Sequence, residues 1–344
     1  MRETYGHEAE SPAVARLERL EAAVNREARR LDGKLGVYLT QLADGGTVSL
    51  RTDDRFPLAS VFKLGVLVEL FRRIDAGEFS LEERWTVRPE LQSLESGVLM
   101  YLDPGLRPTV RDLATLMIIV SDNTATDMLF KRVGLRSVNP TLRRLGLRDT
   151  DIYMPNREWY LLCLGYHPRL SRLSPGRLAR RWRAMDAEER FEVLGWLQEH
   201  RRGVRVEAMR ARANALERSG AARTPSWRSL EQATDNWASP RDIGTLLASI
   251  ERRKAASPSS CRAMLDILRN QQYRRLSERI PPGAVVASKT GSIAGVRNDA
   301  GILYPEGKEP FVAVCLTRDL TPRQMEAAPA AIERIGRATW DAWA

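Results

Sequence analysis

The apolar positions of this chain change period twice between its ends. Over residues 12–31, Val14, Leu17, Leu20, Ala23 and Val24 recur at helical spacing and predict an amphipathic helix. Two strand-like runs follow, 35–42 and 47–50, joined by a turn containing Asp44-Gly45-Gly46. Phe56-Pro57-Leu58-Ala59 then leads into a long apolar helix, 60–74. The middle of the chain is mainly helical, with predicted segments at 109–120, 124–133, 136–145, 240–253 and 259–270. Strand-like runs return at 284–289, 299–304 and 311–317, and a helix over 322–343 closes the chain.

This order lets the two ends of the chain build one lobe around a helical centre. The expected organisation is one domain, 1–344, with an α/β lobe from about 12–58 and 281–344 and a helical lobe over about 59–280. A site would lie in the crevice between the lobes.

Composition narrows the function classes. A chain of 344 residues, 43% hydrophobic, can bury a large core. Its mean hydropathy is −0.37, and no apolar run reaches the length of a membrane span. Residues 1–10 are polar and charged, without an apolar leader core. Cys163, Cys261 and Cys315 lie far apart and offer no disulfide framework. Cys315, inside the run 311–316, reads as a small buried residue. His7, His167 and His200 lack metal-ligand spacing, which argues against a zinc hydrolase. The net charge of +10 is largely arginine, much of it within 169–228. That surface would suit a polyanion, but a solvated helical face explains it more simply, so nucleic acid is not the expected partner. Oligomeric state is not legible.

Three short motifs stand in order: Ser60-Val61-Phe62-Lys63, Ser121-Asp122-Asn123 and Lys289-Thr290-Gly291. An S-x-x-K alone should occur about once by chance in a chain of this length. The ordered set of three is what carries weight. Ser60 and Lys63, three apart at a helix start, should share a face and touch. A serine hydroxyl needs a proton acceptor to become a nucleophile. A lysine can serve if burial or nearby positive charge lowers its pKa. Val61, Phe62 and Leu64 would bury Lys63, and Lys289 would add positive charge. Ser121 can pass a proton between Lys63 and a leaving nitrogen. Asn123 can donate to a substrate amide carbonyl, while Asp122 fixes the turn. Lys289 and Thr290 suit a substrate carboxylate. Gly291 would let an extended substrate approach a strand edge. The backbone N–H of Ser292 would pair with that of Ser60 to stabilise an oxyanion.

On these residues the chain resembles the class A serine β-lactamases, within the superfamily of serine β-lactamases and penicillin-binding proteins. Arg55-Phe56-Pro57-Leu58-Ala59-Ser60-Val61-Phe62-Lys63 is close to that family's nucleophile segment, and Ser121-Asp122-Asn123-Thr124-Ala125 to its second element. Ala238-Ser239-Pro240-Arg241-Asp242 resembles its Thr-Pro helix start. Lys289-Thr290-Gly291-Ser292, followed by Asn298-Asp299, resembles its third element. The likeness covers 33–155 and 236–344. It implies an α+β, β-lactamase/transpeptidase-like fold: an antiparallel sheet flanked by helices, plus an all-helical lobe. It also implies an acyl-enzyme on Ser60, no metal or organic cofactor, and an extracytoplasmic place.

The departures lie in the family's omega loop. Its water-activating glutamate falls at Asn156 and its supporting asparagine at Tyr160, with Glu158 two residues past the expected place. An Arg-rich insert follows, about 161–235, in which 177–200 reads as one helix and 204–218 as another. Trp182, Met185, Phe191, Leu194 and Trp196 are the candidate apolar contacts of the first. The insert is a lid or site wall, or else a decoration or partner surface. Glu95-Ser96-Gly97 stands where many family members place an aromatic gatekeeper, so Glu95 and Asn156 are expected to face the substrate and alter its choice.

The leading expectation is hydrolysis of a small β-lactam through Ser60, with Glu158 or a group from the insert as the water base. The alternative is a related serine acyl-transfer enzyme on a peptidoglycan-like or ester substrate: a D-Ala-D-Ala carboxypeptidase, an esterase or a slowly deacylating penicillin-binding protein. A third, non-catalytic polyanion-binding module would leave the three motifs idle.

Overall fold

The computed structural model describes residues 12–344; the segment 1–10 lies outside the described residues. Helix α1 (Pro12–Arg29) precedes the hairpin β1 (Lys34–Gln41) and β2 (Thr47–Leu50). A short strand β3 (Phe56–Pro57) and a 3-10 turn (Ala59–Phe62) lead into α2 (Lys63–Asp75). Next come α3 (Val110–Ile119), α4 (Asn123–Val133), α5 (Val138–Arg144) and α6 (Asn156–Cys163). The insert supplies α7 (Pro175–Ala184), α8 (Ala187–His200), α9 (Val206–Arg218) and α10 (Pro225–Thr234). After β4 (Trp237–Ala238) the chain forms α11 (Pro240–Glu251), α12 (Pro258–Arg269), β5 (Val285–Ile293), β6 (Val296–Tyr304), β7 (Phe311–Arg318) and α13 (Pro322–Trp343).

The five-stranded sheet runs in the order β2-β1-β7-β6-β5, with every neighbour antiparallel. Strand alternation divides two cores. Leu35, Val37 and Leu39 of β1, with Phe311, Ala313 and Cys315 of β7, pack with Leu20 and Val24 of α1 and Ile332 and Ile335 of α13. Val312, Val314 and Leu316 face the other way, into a core shared with α2, α3, α4, α11 and α12. Pairing of β1 with β7, Lys34 opposite Arg318, is what brings the two ends of the chain into one sheet. No described helix is long and apolar enough to cross a membrane.

The structure revises the reading of several segments. The region 177–200 is two helices. Met185 leaves the helical conformation at ψ 139°, and Asp186 starts α8 with a reciprocal cap. Its carboxylate accepts from Glu189 N at 2.9 Å, and the Glu189 carboxylate accepts from Asp186 N at 3.0 Å. The third motif lies inside β5 rather than after a strand, with Lys289 opposite Ala300 and Ser292 opposite Arg297. Helices α6 and α10 and the small sheet of β3 with β4 were not anticipated.

The insert has its own core, in which Leu178, Trp182, Leu194, Leu197, Met209 and Leu230 are buried. Trp182 Nε1 donates to the Tyr153 hydroxyl at 3.0 Å, tying that core to the segment before α6. The chain leaves and re-enters the body at one neck. Asn236 Oδ1 accepts from Tyr153 N and Met154 N, each at 2.8 Å, and its Nδ2 donates to Met154 O at 2.9 Å. Asp151 and Trp237 exchange backbone hydrogen bonds beside it. Residues 155–235 are therefore one loop, closed at its base and folded into α6 to α10.

Candidate active site

Ser60 sits in the 3-10 turn, where β3 hands over to α2. Four hydrogen bonds fix that turn. Asn298 Nδ2 donates to Pro57 O at 2.8 Å and Leu58 O at 3.1 Å. Leu58 N donates to Asn236 O at 2.8 Å, and Ala59 N donates to Asp235 Oδ2 at 2.6 Å. They hold Ala59 at φ 45°, a left-handed conformation that costs a non-glycine residue roughly 1–2 kcal/mol. Strand β5 is one of the two edge strands of the sheet and runs against this turn. A side chain at Gly291 would stand 2.6 Å from Leu58 O and 3.1 Å from Ser60 N. The missing side chain thus admits the nucleophile's own turn to the strand edge.

Lys63 opens α2 and is wholly buried. Its Nζ lies 2.6 Å from Ser121 O, 2.8 Å from Asn123 Oδ1 and 3.1 Å from Ser121 Oγ. Its hydrogen bonds go to Ser121 and Asn123 rather than to Ser60. Burial pulls the Lys63 pKa down to about 7, against the opposing pull of the Asp122 and Asp127 carboxylates. A neutral amine has two donors and one lone pair. With its donors on Ser121 O and Asn123 Oδ1, the lone pair is left for the Ser121 hydroxyl. Lys289 is also wholly buried, and its Nζ donates to Thr290 O at 2.8 Å. Its pKa falls well below the ordinary value through burial, and then through the charge of Lys63.

Ser121 is held at φ 56° between α3 and α4. Asp122 caps α4 through Ala125 N at 2.8 Å and accepts Val98 N and Leu99 N at 2.7 and 2.8 Å, so it fixes both its own turn and the facing loop. Asn123 Nδ2 donates to Leu94 O, and Asn123 N to Ser96 O. Glu95 and Ser96 are both left-handed, at φ 53° and 44°. Gly97, at φ 97°, has no room for a side chain, since a Cβ there would lie 2.3 Å from Asp122 Cα.

Ser60, Ser121, Asn123, Thr290, Gly291 and Ser292 open on one cleft of about 830 Å³, which Glu95 and Asn156 also line. Arg275, which no motif announces, reaches the same edge. Its Nη2 donates to Ser292 Oγ at 2.8 Å and its Nη1 to Asn298 O at 2.5 Å. Asp299 holds it from behind by accepting Arg275 N and Leu276 N. Among the described residues no group of three or more His, Cys, Asp or Glu side chains could hold a metal ion.

The β-lactamase enzyme family matches this chain over residues 19–343. The chain belongs to that family. It is 25% identical to a β-lactamase of Streptomyces lavendulae over 305 residues, 86% of this chain and 78% of that protein. Among solved structures, it is similar to the β-lactamase of Sphaerobacter thermophilus at 28% identity and a TM-score of 0.68, covering 94% of this chain and 96% of the other. It is similar to the L158E mutant of PBP-A, solved as an acyl-enzyme with penicillin G, at 25% identity and a TM-score of 0.67, covering 94% and 97%. The fold is the β-lactamase/transpeptidase-like fold, and the chain is a β-lactamase-like serine hydrolase.

Within this family's architecture, the altered loop forms a wall of the site. Asp127 of α4 accepts from Asn156 N, Asn156 Nδ2 and Arg157 N at 2.8, 3.0 and 2.7 Å, pinning the start of α6. Asn156, Trp159, Tyr160 and Cys163 of α6 then face the cleft, and the Tyr160 hydroxyl donates to Glu95 Oε2 at 2.9 Å. Glu158 does not join them. It lines a separate cavity and pairs with Lys131 Nζ at 2.8 Å, with its Oε2 unpartnered. The displaced-glutamate expectation fails for a helical reason: two residues past Asn156 is about 200° around the axis, the opposite face. The far end of the cleft is built by Ala213, Leu216, Glu217, Ala222, Trp227 and Glu231. Helix α10 is fastened to the β5–β6 turn there, with Ala294 N donating to Glu231 Oε2 at 2.9 Å and Gln232 Nε2 to Ala294 O at 3.1 Å. None of the fifteen arginines of 161–235 lines the cleft, so the insert's basic surface is turned away from it.

Proposed function

We propose that this chain opens the amide of a β-lactam through an acyl-enzyme on Ser60 and releases the product by hydrolysis. The observation that carries the reading is the buried Lys63 held against Ser121, one helical turn from Ser60. Neutral Lys63 takes the Ser60 proton by way of the Ser121 hydroxyl, and the same hydroxyl returns it to the leaving nitrogen. The backbone N–H groups of Ser60 and Ser292 receive the oxyanion. Asn123 receives the acyl-side amide. Lys289, Thr290 and Arg275 receive the substrate carboxylate, with Arg275 the permanent cation of the three. Glu95 and Asn156 line the acyl side.

A second reading, a penicillin-binding protein that acylates and releases slowly, is favoured by Asn156 and by the outward face of Glu158. The similarity to PBP-A supports it as well. Steady-state turnover of benzylpenicillin decides between them. Multiple turnovers that vanish in Ser60→Ala support hydrolysis. One equivalent consumed and held supports the second reading. Turnover retained in Ser60→Ala refutes both.

A further inference from the structure

We propose that Asp235, the last residue of the expanded loop, is the general base that activates the deacylating water. This rests on the acyl-serine reading above. Asp235 lines the same cleft as Ser60 and is only 6% exposed. Its Oδ2 accepts from Ala59 N at 2.6 Å, which places the carboxylate against the residue next to the nucleophile. The neck at Asn236 holds it there, because Asn236 ties the returning chain to Tyr153 and Met154.

The other carboxylates are less well placed. Glu158 is on the far face of α6. Glu231 is tied to the β5–β6 turn rather than to the turn that carries Ser60, accepting from Ala294 N at 2.9 Å and from Trp227 Nε1 at 2.7 Å. Glu95 is exposed and is held by Tyr160. Burial pushes the Asp235 pKa up to about 7. The backbone N–H groups of Ala59 and Asn236 pull against this, and Glu231 on α10 adds to it. The other titratable neighbours are Cys163 on α6 and Tyr153, both of which burial keeps protonated. A base poised near neutrality suits this step.

In the step itself, the water oxygen bonds to the acyl carbonyl carbon and one water proton passes to the Asp235 carboxylate. The tetrahedral adduct then collapses, the C–Oγ bond of Ser60 breaks, and Oγ leaves with its electron pair and takes up that proton. The products are a free carboxylic acid, the Ser60 hydroxyl and the Asp235 carboxylate.

The test is the decay of the benzylpenicillin adduct, followed by intact mass from pH 5.5 to 8.5, in the wild type, Asp235→Asn and Asp235→Glu. Wild-type decay should rise about tenfold between pH 6 and 8, as a group with a pKa near 7 loses its proton. Asp235→Asn keeps an acceptor for Ala59 N. It should form the adduct within about twofold of the wild-type rate, lose roughly a hundredfold or more in decay, and lose the pH dependence. Decay at the wild-type rate in Asp235→Asn overturns the proposal. So does slowed decay with the midpoint unchanged, which would make Lys63 the base. If Asp235→Asn does not fold or acylate, Asp235→Glu decides: a displaced midpoint supports the proposal and an unchanged one overturns it. A wild-type adduct that never decays overturns the proposal alone. Absence of any adduct overturns the acyl-serine reading beneath it.

Discussion

Acylation should depend on pH through Lys63, and the size of the effect follows from its burial. The side chain has no exposed surface, and its pKa falls from 10.5 to about 7. At about 1.4 kcal/mol per unit, the site disfavours the charged form by about 5 kcal/mol relative to water. The neutral fraction then rises from about a tenth at pH 6 to about nine-tenths at pH 8. The second-order rate of acylation, measured by stopped flow with a chromogenic cephalosporin under single-turnover conditions, should rise about tenfold over that range. Lys63→Ala should lose roughly a hundred- to ten-thousand-fold and flatten the profile. The sign for stability is the same. Between the folded value near 7 and the unfolded value of 10.5 the unfolded chain binds more protons, so this group's contribution to stability grows as pH rises through that window. An acylation profile flat between pH 6 and 8, or a midpoint above pH 9, would refute the reasoning, because the amine would then be charged at neutral pH and unable to accept the serine proton.

Other substitutions separate positioning from chemistry. Gly291→Ala places a carbon 2.6 Å from Leu58 O and should cut acylation more than about tenfold while thermal unfolding stays cooperative; unchanged acylation would show that β5 and the nucleophile turn are not in contact. Asn236→Ala removes three hydrogen bonds at the loop's neck, worth about 1 kcal/mol each, so a loss of about 3 kcal/mol is expected in denaturant unfolding, with faster proteolysis inside 155–235. Glu158→Gln should lower stability, because it leaves the part-buried Lys131 without its ion pair, while adduct decay stays within about twofold; a stalled adduct would return Glu158 to the site.

What the sequence made legible is local in the chain. Ser60, Lys63, Ser121 and Lys289 could be singled out as candidates because each motif carries its residues within four positions. The alternating runs that became β1 and β7 could be read from their period. The break between α7 and α8 was also present, in the Asp186–Glu189 pair, but the apolar spacing on both sides of Met185 masked it. The phase of Glu158 follows from helix geometry once 156–163 is known to be helical, and nothing in an expected loop signalled that. Asp235 and Arg275 were not legible. Asp235 acquires its place from Ala59, 176 residues away, and Arg275 from Ser292 and Asp299 across a strand edge. Their positions are products of the folded loop and sheet, and no short pattern encodes them.

The central claim is covalent chemistry at Ser60, and intact-mass spectrometry of the protein mixed with benzylpenicillin, with the modified peptide mapped, tests it most directly. The account predicts an adduct on Ser60 that appears and then decays as penicilloate accumulates. An adduct on any other residue, or penicilloate formed without one, would contradict it.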